Sequence, residues 1–284
     1  MTAARQPLIK VENLTYQYNG AQPVLKNISL EIGRGECLAV IGQNGSGKTT
    51  LVKHFNGLLK PSSGRVYING RDTGPQKVST LARTVGYVFQ NPDHQIFHDT
   101  VGKEVAFGLK NLRLPAEEIE RRVNEALEAV GLTGHYATYP FNLSKGQRQR
   151  VALASVLAMH TEVIVLDEPT TGQDYRESVQ IMEMVKNLHE KGHTIVFITH
   201  DMSLVARYAA RTVVLCEGEI LADAPVRAVF AQPELLARSY LKPPQITLLA
   251  QELGKRAIPP DVISVREMYD LLQKARADKI GCCG

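Results

Sequence analysis

No stretch of the chain approaches the ~18 consecutive apolar residues that a membrane-crossing helix requires. The best candidate, Val151 to Met159, is bounded by Arg150 and His160. The first residues, MTAARQPLIK, carry no apolar leader core, so the expectation is a chain made and kept in the cytosol. Cysteine is scarce: 4 in 284 residues is too few for a disulfide framework. Cys37 and Cys216 stand beside apolar runs and read as small core residues, while Cys282 and Cys283 are adjacent near the end. A charge excess is also missing. Lys+Arg 33 against Asp+Glu 29 leaves +4, too little by itself to imply a nucleic-acid partner. No block repeats, and the composition disfavours disorder, collagen and coiled coil. What remains is an ordinary globular chain, 44% hydrophobic and 22% charged, with room for one large domain or two small ones.

Three regions follow one another. Residues 1 to about 90 alternate short apolar runs with Gly-rich turns. Strands are expected at Leu8–Val11, Val24–Ile32, Cys37–Ile41, Arg65–Ile68 and Val85–Phe89. A helix, Lys48 to Phe55, interrupts them and ends near Gly57. Residues about 91–160 lose the strand pattern. Ile119, Val123, Ala126, Leu127 and Val130 share one face of a helix over Glu117–Val130, closed by Gly131, and a second helix covers Gln147–Met159. Residues about 161–230 return to α/β. The continuous apolar runs Val163–Leu166 and Thr194–Ile198 suit parallel strands buried on both faces, joined by a helix over Glu177–His189. Beyond 230, Pro233, Pro243, Pro244, Pro259 and Pro260 separate short helical stretches, which read as an extension without its own core.

The strongest motif is Gly42-Gln43-Asn44-Gly45-Ser46-Gly47-Lys48-Thr49, which fits G-x-x-x-x-G-K-[ST] between an expected strand and an expected helix. Glycines let successive backbone N–H groups curl into an anion nest, and the helix N-terminus adds partial positive charge. Lys48 supplies a point charge for β and γ phosphates, and Thr49 a hydroxyl for Mg²⁺. Asp167 and Glu168 end the Val163 strand. Successive strand residues point opposite ways, so the two carboxylates can divide the work. Asp167 is expected to hold Mg²⁺ through water, and Glu168 to polarise an attacking water.

Ser144 and Gln147 form an S-x-x-Q capping box. Lys145 opposes the dipole of the helix that follows, and Gly146 permits a close approach, which suits a helix end that receives an anion. His200 follows the Thr194 strand, on the edge where parallel sheets bind ligands. Two histidine pairs are set aside. His189-Glu-Lys-Gly-His193 fits H-E-x-x-H, but Gly192 should stop the helix before both histidines share a face. His94 and His98 are suitably spaced for a metal but have no evident third ligand.

Together these residues resemble the nucleotide-binding subunit of ATP-binding cassette (ABC) transporters over about residues 8–230. Leu143-Ser144-Lys145-Gly146-Gln147 is similar to the family signature, usually L-S-G-G-Q, and departs from it at Lys145. The order of phosphate loop, Gln90, signature, Asp167-Glu168 and His200 is also the family's. The resemblance implies an α/β fold: a P-loop NTPase of ABC type, with a RecA-like core, an antiparallel β subdomain and a helical subdomain. Residues 1–230 would form the nucleotide-binding domain, with its helical subdomain at about 91–160, and 231–284 a C-terminal helical extension. ATP and Mg²⁺ are the implied ligands. Tyr18 would stack on adenine, and Gly42, Asn44, Gly45, Ser46, Gly47, Lys48, Thr49 and Thr50 would hold the phosphates. Thr49, Gln90 and Asp167 would hold Mg²⁺. Glu168, His200 and Gln90 would be catalytic, His200 on the γ-phosphate. Ser144, Gly146, Gln147 and Asp174 would serve a nucleotide shared with a second ATPase subunit, a copy or a paralogue.

A narrower resemblance is to energy-coupling-factor importers, which take up vitamins, cobalt or nickel. It rests on Gln90–Phe97, Thr100-Val101, Val105–Gly108, and the extension that begins at Leu241–Gln245. It implies an integral membrane coupling subunit, a substrate-binding membrane subunit, and a place on the cytoplasmic face of the cell membrane. No nucleic acid is expected. The rivals are the ATPase of another ABC importer class and a soluble ABC ATPase acting on ribosomes or DNA. The ribosome-acting kind usually carries two cassettes in one chain, and the DNA-repair kind needs a long coiled coil. A GTP switch is disfavoured because no N-K-x-D motif occurs.

Overall fold

The computed structural model describes residues 6–20, 22–254 and 258–281, with side chains as far as residue 275. Cys282 and Cys283 lie outside the described residues. Along the chain come β1 (Ile9–Tyr16), β2 (Leu25–Ile32), β3 (Cys37–Ile41), α1 (Lys48–Phe55), β4 (Ser63–Ile68), β5 (Arg71–Asp72), α2 (Val78–Leu81) and β6 (Val85–Val88). Three helices follow: α3 (Val101–Asn111), α4 (Ala116–Ala129) and α5 (Lys145–Ala158). Then come β7 (Val163–Asp167), α6 (Tyr175–Glu190), β8 (Thr194–Ile198), α7 (Met202–Tyr208), β9 (Arg211–Cys216) and β10 (Glu219–Pro225). The chain continues through α8 (Val226–Phe230), α9 (Pro233–Arg238), α10 (Gln245–Leu253) and α11 (Val265–Gly281).

The strands form two sheets. One is antiparallel, in the order β2-β1-β4-β5. The other runs β10-β9-β3-β8-β7-β6, parallel except for β10 at its edge. Period-two alternation divides each central strand between two cores. Cys37, Ala39 and Ile41 of β3 join one core, Leu38 and Val40 the other. In β7 the division is Ile164 and Leu166 against Val163 and Val165; in β8 it is Ile195 and Phe197 against Val196 and Ile198. The first core lies under α3 to α6. The second is closed by α1, through Leu51, Val52 and Phe55, and by the antiparallel sheet. A strand covered on both faces has no solvated side to keep polar, which is why these runs are continuously apolar.

Several expectations need correction. β1 extends to Tyr16, well past Val11. The helix α3 and the β9–β10 hairpin were not foreseen. The extension does have a small core of its own, Ala250, Ile258, Val262 and Met268, while Leu236 joins the main core. The extension is fastened to α8 by the Arg227–Glu267 ion pair, 2.7 Å, and by Gln251, whose amide donates to the Phe230 carbonyl. Among the described residues no helix is long and apolar enough to cross a membrane.

Candidate nucleotide site

The carboxyl ends of β3, β6, β7 and β8 meet along one edge of the large sheet, and the residues expected to do chemistry follow them there. The loop from β3 to α1 is shaped by its glycines. Gly47, φ 102°, caps α1, and a Cβ on it would sit 2.8 Å from Leu25 Cδ2. Gly42 packs so closely on the Leu215 carbonyl that no side chain fits. Lys48 is buried. Its ammonium donates to the Gly42 and Gln43 carbonyls, both at 2.8 Å. Burial lowers its pKa, opposed by the nearby carboxylates of Glu168 and Asp167.

Asp167 and Glu168 are adjacent but inhabit different surroundings. Asp167 closes β7 and is only 4% exposed. Its Oδ1 accepts the Thr49 hydroxyl at 3.0 Å and its Oδ2 the Tyr87 hydroxyl at 2.7 Å. Burial pushes the carboxyl up, and those two hydrogen bonds oppose the shift. Burial, then Asp167 itself, pushes the Tyr87 phenol up. Glu168 takes a left-handed backbone, φ 48°, an uncommon conformation for a side-chain-bearing residue. Its Oε2 accepts Gln90 Nε2 at 2.7 Å and the Thr171 hydroxyl at 2.9 Å. Its Oε1 stands 3.6 Å from His200 Nδ1. Residues from three strand ends thus converge on one carboxylate.

A cavity of about 500 Å³ lies between the phosphate loop and the Gln90, Glu168 and His200 side chains. Asn44, Gly45, Gly47, Lys48, Thr49, Thr50, Gln90, Glu168 and His200 line it. Gly42, Ser46 and Asp167 are not part of that lining; Ser46 and Asp167 are buried, and the Ser46 hydroxyl has no partner among the described residues. Val24 and Thr171 also line the cavity, and sequence reasoning missed both. Val24 carried no chemical signal, but Thr171 lies three residues beyond Glu168, within reach of a turn. Tyr18 stands apart, its hydroxyl sharing a 3.2 Å hydrogen bond with Thr50 and its ring edge-on to Tyr16.

Ser144, Gly146, Gln147 and Asp174 do not line the cavity. Ser144 and Gln147 form the expected capping box at the start of α5. The space that Gly146 leaves open holds an anion from within the chain: the Glu177 carboxylate, 2.8 Å from where a Cβ would be. Asp174 caps α6 by accepting the Glu177 amide. His189 and His193 do not share a helical face, because α6 ends at Glu190. His193 lies beyond the end of α6 and its Nδ1 pairs with the Thr161 carbonyl. His98 faces Glu104, and the described residues hold no cluster able to bind a metal.

A family model described as ABC transporter matches residues 25–171. The energy-coupling factor transporter ATP-binding protein EcfA2 of Caldanaerobacter subterraneus subsp. tengcongensis is 44% identical, over 95% of this chain and 99% of that protein. The chain belongs to the ABC transporter family. Its fold is the ABC ATPase fold, as two solved structures confirm. One is cbiO1 of Clostridium perfringens, described as part of the ABC transporter complex cbiONQ: TM-score 0.75, 38% identity, 86% of this chain and 99% of that one. The other is the ATP-binding cassette MJ0796, described as a dimer in a post-hydrolysis state bound to ADP and Pi: TM-score 0.69, 31% identity, 77% and 98% coverage. This ABC family member spans about half the length of other curated relatives. Three, from Caldanaerobacter and two Methanosarcina species, are 49%, 44% and 42% identical, and it covers 46%, 45% and 45% of them.

Proposed function

We propose that the chain is the ATP-hydrolysing subunit of an energy-coupling-factor importer for a micronutrient, a vitamin or a transition-metal ion. The observation that carries the reading is Glu168: a carboxylate held by Gln90 and Thr171, beside His200, at the mouth of a phosphate loop. Near-full-length kinship with an energy-coupling-factor ATP-binding protein supports the importer class.

In this reading the loop amides and Lys48 bind the phosphates, and Lys48 leaves the two carbonyls for them. Gln90 and Thr171 occupy Oε2 of Glu168, which leaves Oε1 to take the proton of the attacking water. His200, beside that oxygen, reaches the γ-phosphate. Tyr18 would stack on the adenine ring. Thr49 and Asp167 offer oxygen donors only, already in contact with each other, which fits a hard divalent cation. With Gln90 they would hold Mg²⁺, which when bound neutralises charge developing on the β and γ phosphates.

Ser144, Gly146 and Gln147, outside this cavity, would serve the phosphates of a second ATPase subunit once the Glu177 carboxylate that covers Gly146 gives way to them, and Asp174 would belong to the loop at that junction. That subunit is a copy of this chain or a paralogue; relatives of twice the length have room for both in one chain. The membrane coupling subunit docks near Gln90 on the cytoplasmic face, and a membrane subunit selects the solute. Closure of the two cassettes on two Mg-ATP drives the membrane helices, and hydrolysis reopens them.

The test is capture of the tagged protein from detergent-solubilised membranes, with mass spectrometry of what accompanies it. An integral membrane protein and a second cassette are expected. Ribosomes or DNA-bound proteins without a membrane subunit would overturn the importer reading.

A further inference from the structure

Lys145 stands where the family signature usually has glycine, and the reaction proposed above gives it no task. As the first residue of α5, its positive charge opposes the helix dipole and costs local stability. One interaction offsets that cost: the ammonium crosses to the loop after Glu168 and donates to the Thr171 carbonyl at 3.0 Å. It passes directly over Gly172, φ +74°, where a Cβ would lie 2.6 Å from Nζ. Beside this contact the Glu177 carboxylate of α6 covers Gly146. The start of α5 is therefore fastened to the segment 171–177.

The connection continues to the cavity. The Thr171 hydroxyl donates to Glu168 Oε2 at 2.9 Å, and the Thr171 amide donates to the Glu168 carbonyl at 3.2 Å. Oε2 also holds Gln90. A displacement of Thr171 thus changes the donors on the oxygen opposite the one that takes the proton. The Thr171 carbonyl and hydroxyl belong to one short turn, so fixing the first fixes the second.

We infer that Lys145 is a positioning residue for hydrolysis. By holding the Thr171 carbonyl it sets the Thr171 hydroxyl against Glu168, and so fixes the direction of the Glu168 carboxylate. The inference rests on the ATPase reading above. Under that reading α5 starts toward the second subunit's nucleotide, and Lys145 joins that helix end to the base of its own chain.

The experiment compares the full chain with Lys145→Met, Thr171→Val, the double variant and Lys145→Arg. The methionine keeps the stem and removes every donor. Lys145→Met and Thr171→Val should each lower kcat about three- to tenfold, the size of one lost hydrogen bond, with KM for ATP within about twofold of the parent. The double variant should be no worse than the poorer single one, because both break the same connection. Lys145→Arg should restore the rate. Unchanged kcat in Lys145→Met overturns the inference, as do additive losses. A loss confined to KM overturns it too, and makes Lys145 a nucleotide ligand instead. Amide hydrogen exchange across residues 169–173, measured without nucleotide, should quicken in Lys145→Met and stay at the parent rate in Lys145→Arg. Unchanged exchange in Lys145→Met removes the tether. A parent protein without ATPase activity removes the functional reading, and the exchange experiment still decides the tether.

Discussion

Adjacent carboxylates gain separate roles when the backbone sends them into different surroundings. Asp167 finishes a strand, is buried, and has both oxygens occupied by hydroxyls. Glu168 turns into the left-handed region and keeps one oxygen clear of hydrogen bonds from Gln90 and Thr171. Replacing Glu168 with Gln should preserve ATP binding and lower turnover about 10²- to 10⁴-fold, the usual contribution of a positioned base. Phosphate release and equilibrium nucleotide binding on the same preparation check this, and turnover at the parent rate would remove Glu168 from that role. His54 offers a test of stability. It is fully buried, its Nδ1 lies 2.8 Å from the Thr50 carbonyl, and its ring stands edge-on to Tyr16. Burial lowers its pKa below the ordinary histidine value, opposed by the backbone carbonyls of Thr50 and Lys60. The folded value is depressed, so the unfolded chain binds the proton first as pH falls. The contribution is complete above the unfolded value and is lost as pH falls through the folded one. Between about pH 7.5 and about pH 5.5 the Tm of the parent should therefore fall more steeply than that of His54→Phe. Equal slopes in thermal melts would show that His54 is not the group responsible.

Glycine at a helix–strand contact governs how closely two elements can approach. Gly86 of β6 faces Val156 of α5 so tightly that an added Cβ would overlap it, and the Thr161 hydroxyl would lie 2.8 Å away. Gly86→Ala should destabilise the protein by about 1–3 kcal/mol, the usual effect of overpacking, and lower its Tm. An unchanged melt would mean that α5 moves aside freely. The same property hid α3 from the sequence. Gly102 and Gly108 weaken the helical pattern locally, yet Cβ atoms there would meet the Tyr136 ring at 2.5 Å and the Met159 sulfur at 2.6 Å. Close packing requires those glycines, and tertiary contact overrides their poor helix propensity. The β9–β10 hairpin was hidden differently: Glu217 and Gly218 both adopt positive φ, and Glu-Gly is a weaker turn signal than Asn-Gly. Elements with local signals were legible. The phosphate loop fixed the start of α1, the capping box fixed the start of α5, and the continuous apolar runs fixed β7 and β8. Glu168 and His200 were legible too, because each follows a strand end, whereas Gln90 was reached only through the family resemblance. Thr171 was not, since its contribution arises only once the backbone at Glu168 turns.

At the scale of the whole molecule, the cavity is linked to an exposed apolar face on the helical region. Phe97 is 62% exposed, and its ring packs on His98 and Phe107. The loop that carries it is pinned by the buried Glu104, whose Oε2 accepts the Phe97 and His98 amides at 3.0 and 2.9 Å. Arg148 of α5 donates to Asp93 at 2.6 Å and to the Leu143 carbonyl at 2.6 Å, joining the turn after Gln90 to the signature helix. Clustered exposed aromatics offer apolar area that a partner could cover. Their position, on the segment following Gln90, is where the importer reading puts the membrane coupling subunit. Phe97→Asp should therefore reduce capture of that subunit from solubilised membranes at least about tenfold, the effect of removing an anchoring aromatic. Phe97 does not line the cavity, so ATP binding by the isolated variant should match the parent. Undiminished capture would move the docking face elsewhere on the helical region. Loss of ATP binding together with capture would indicate that the charge disturbs the turn at Asp93 and, through Gln90, the site itself.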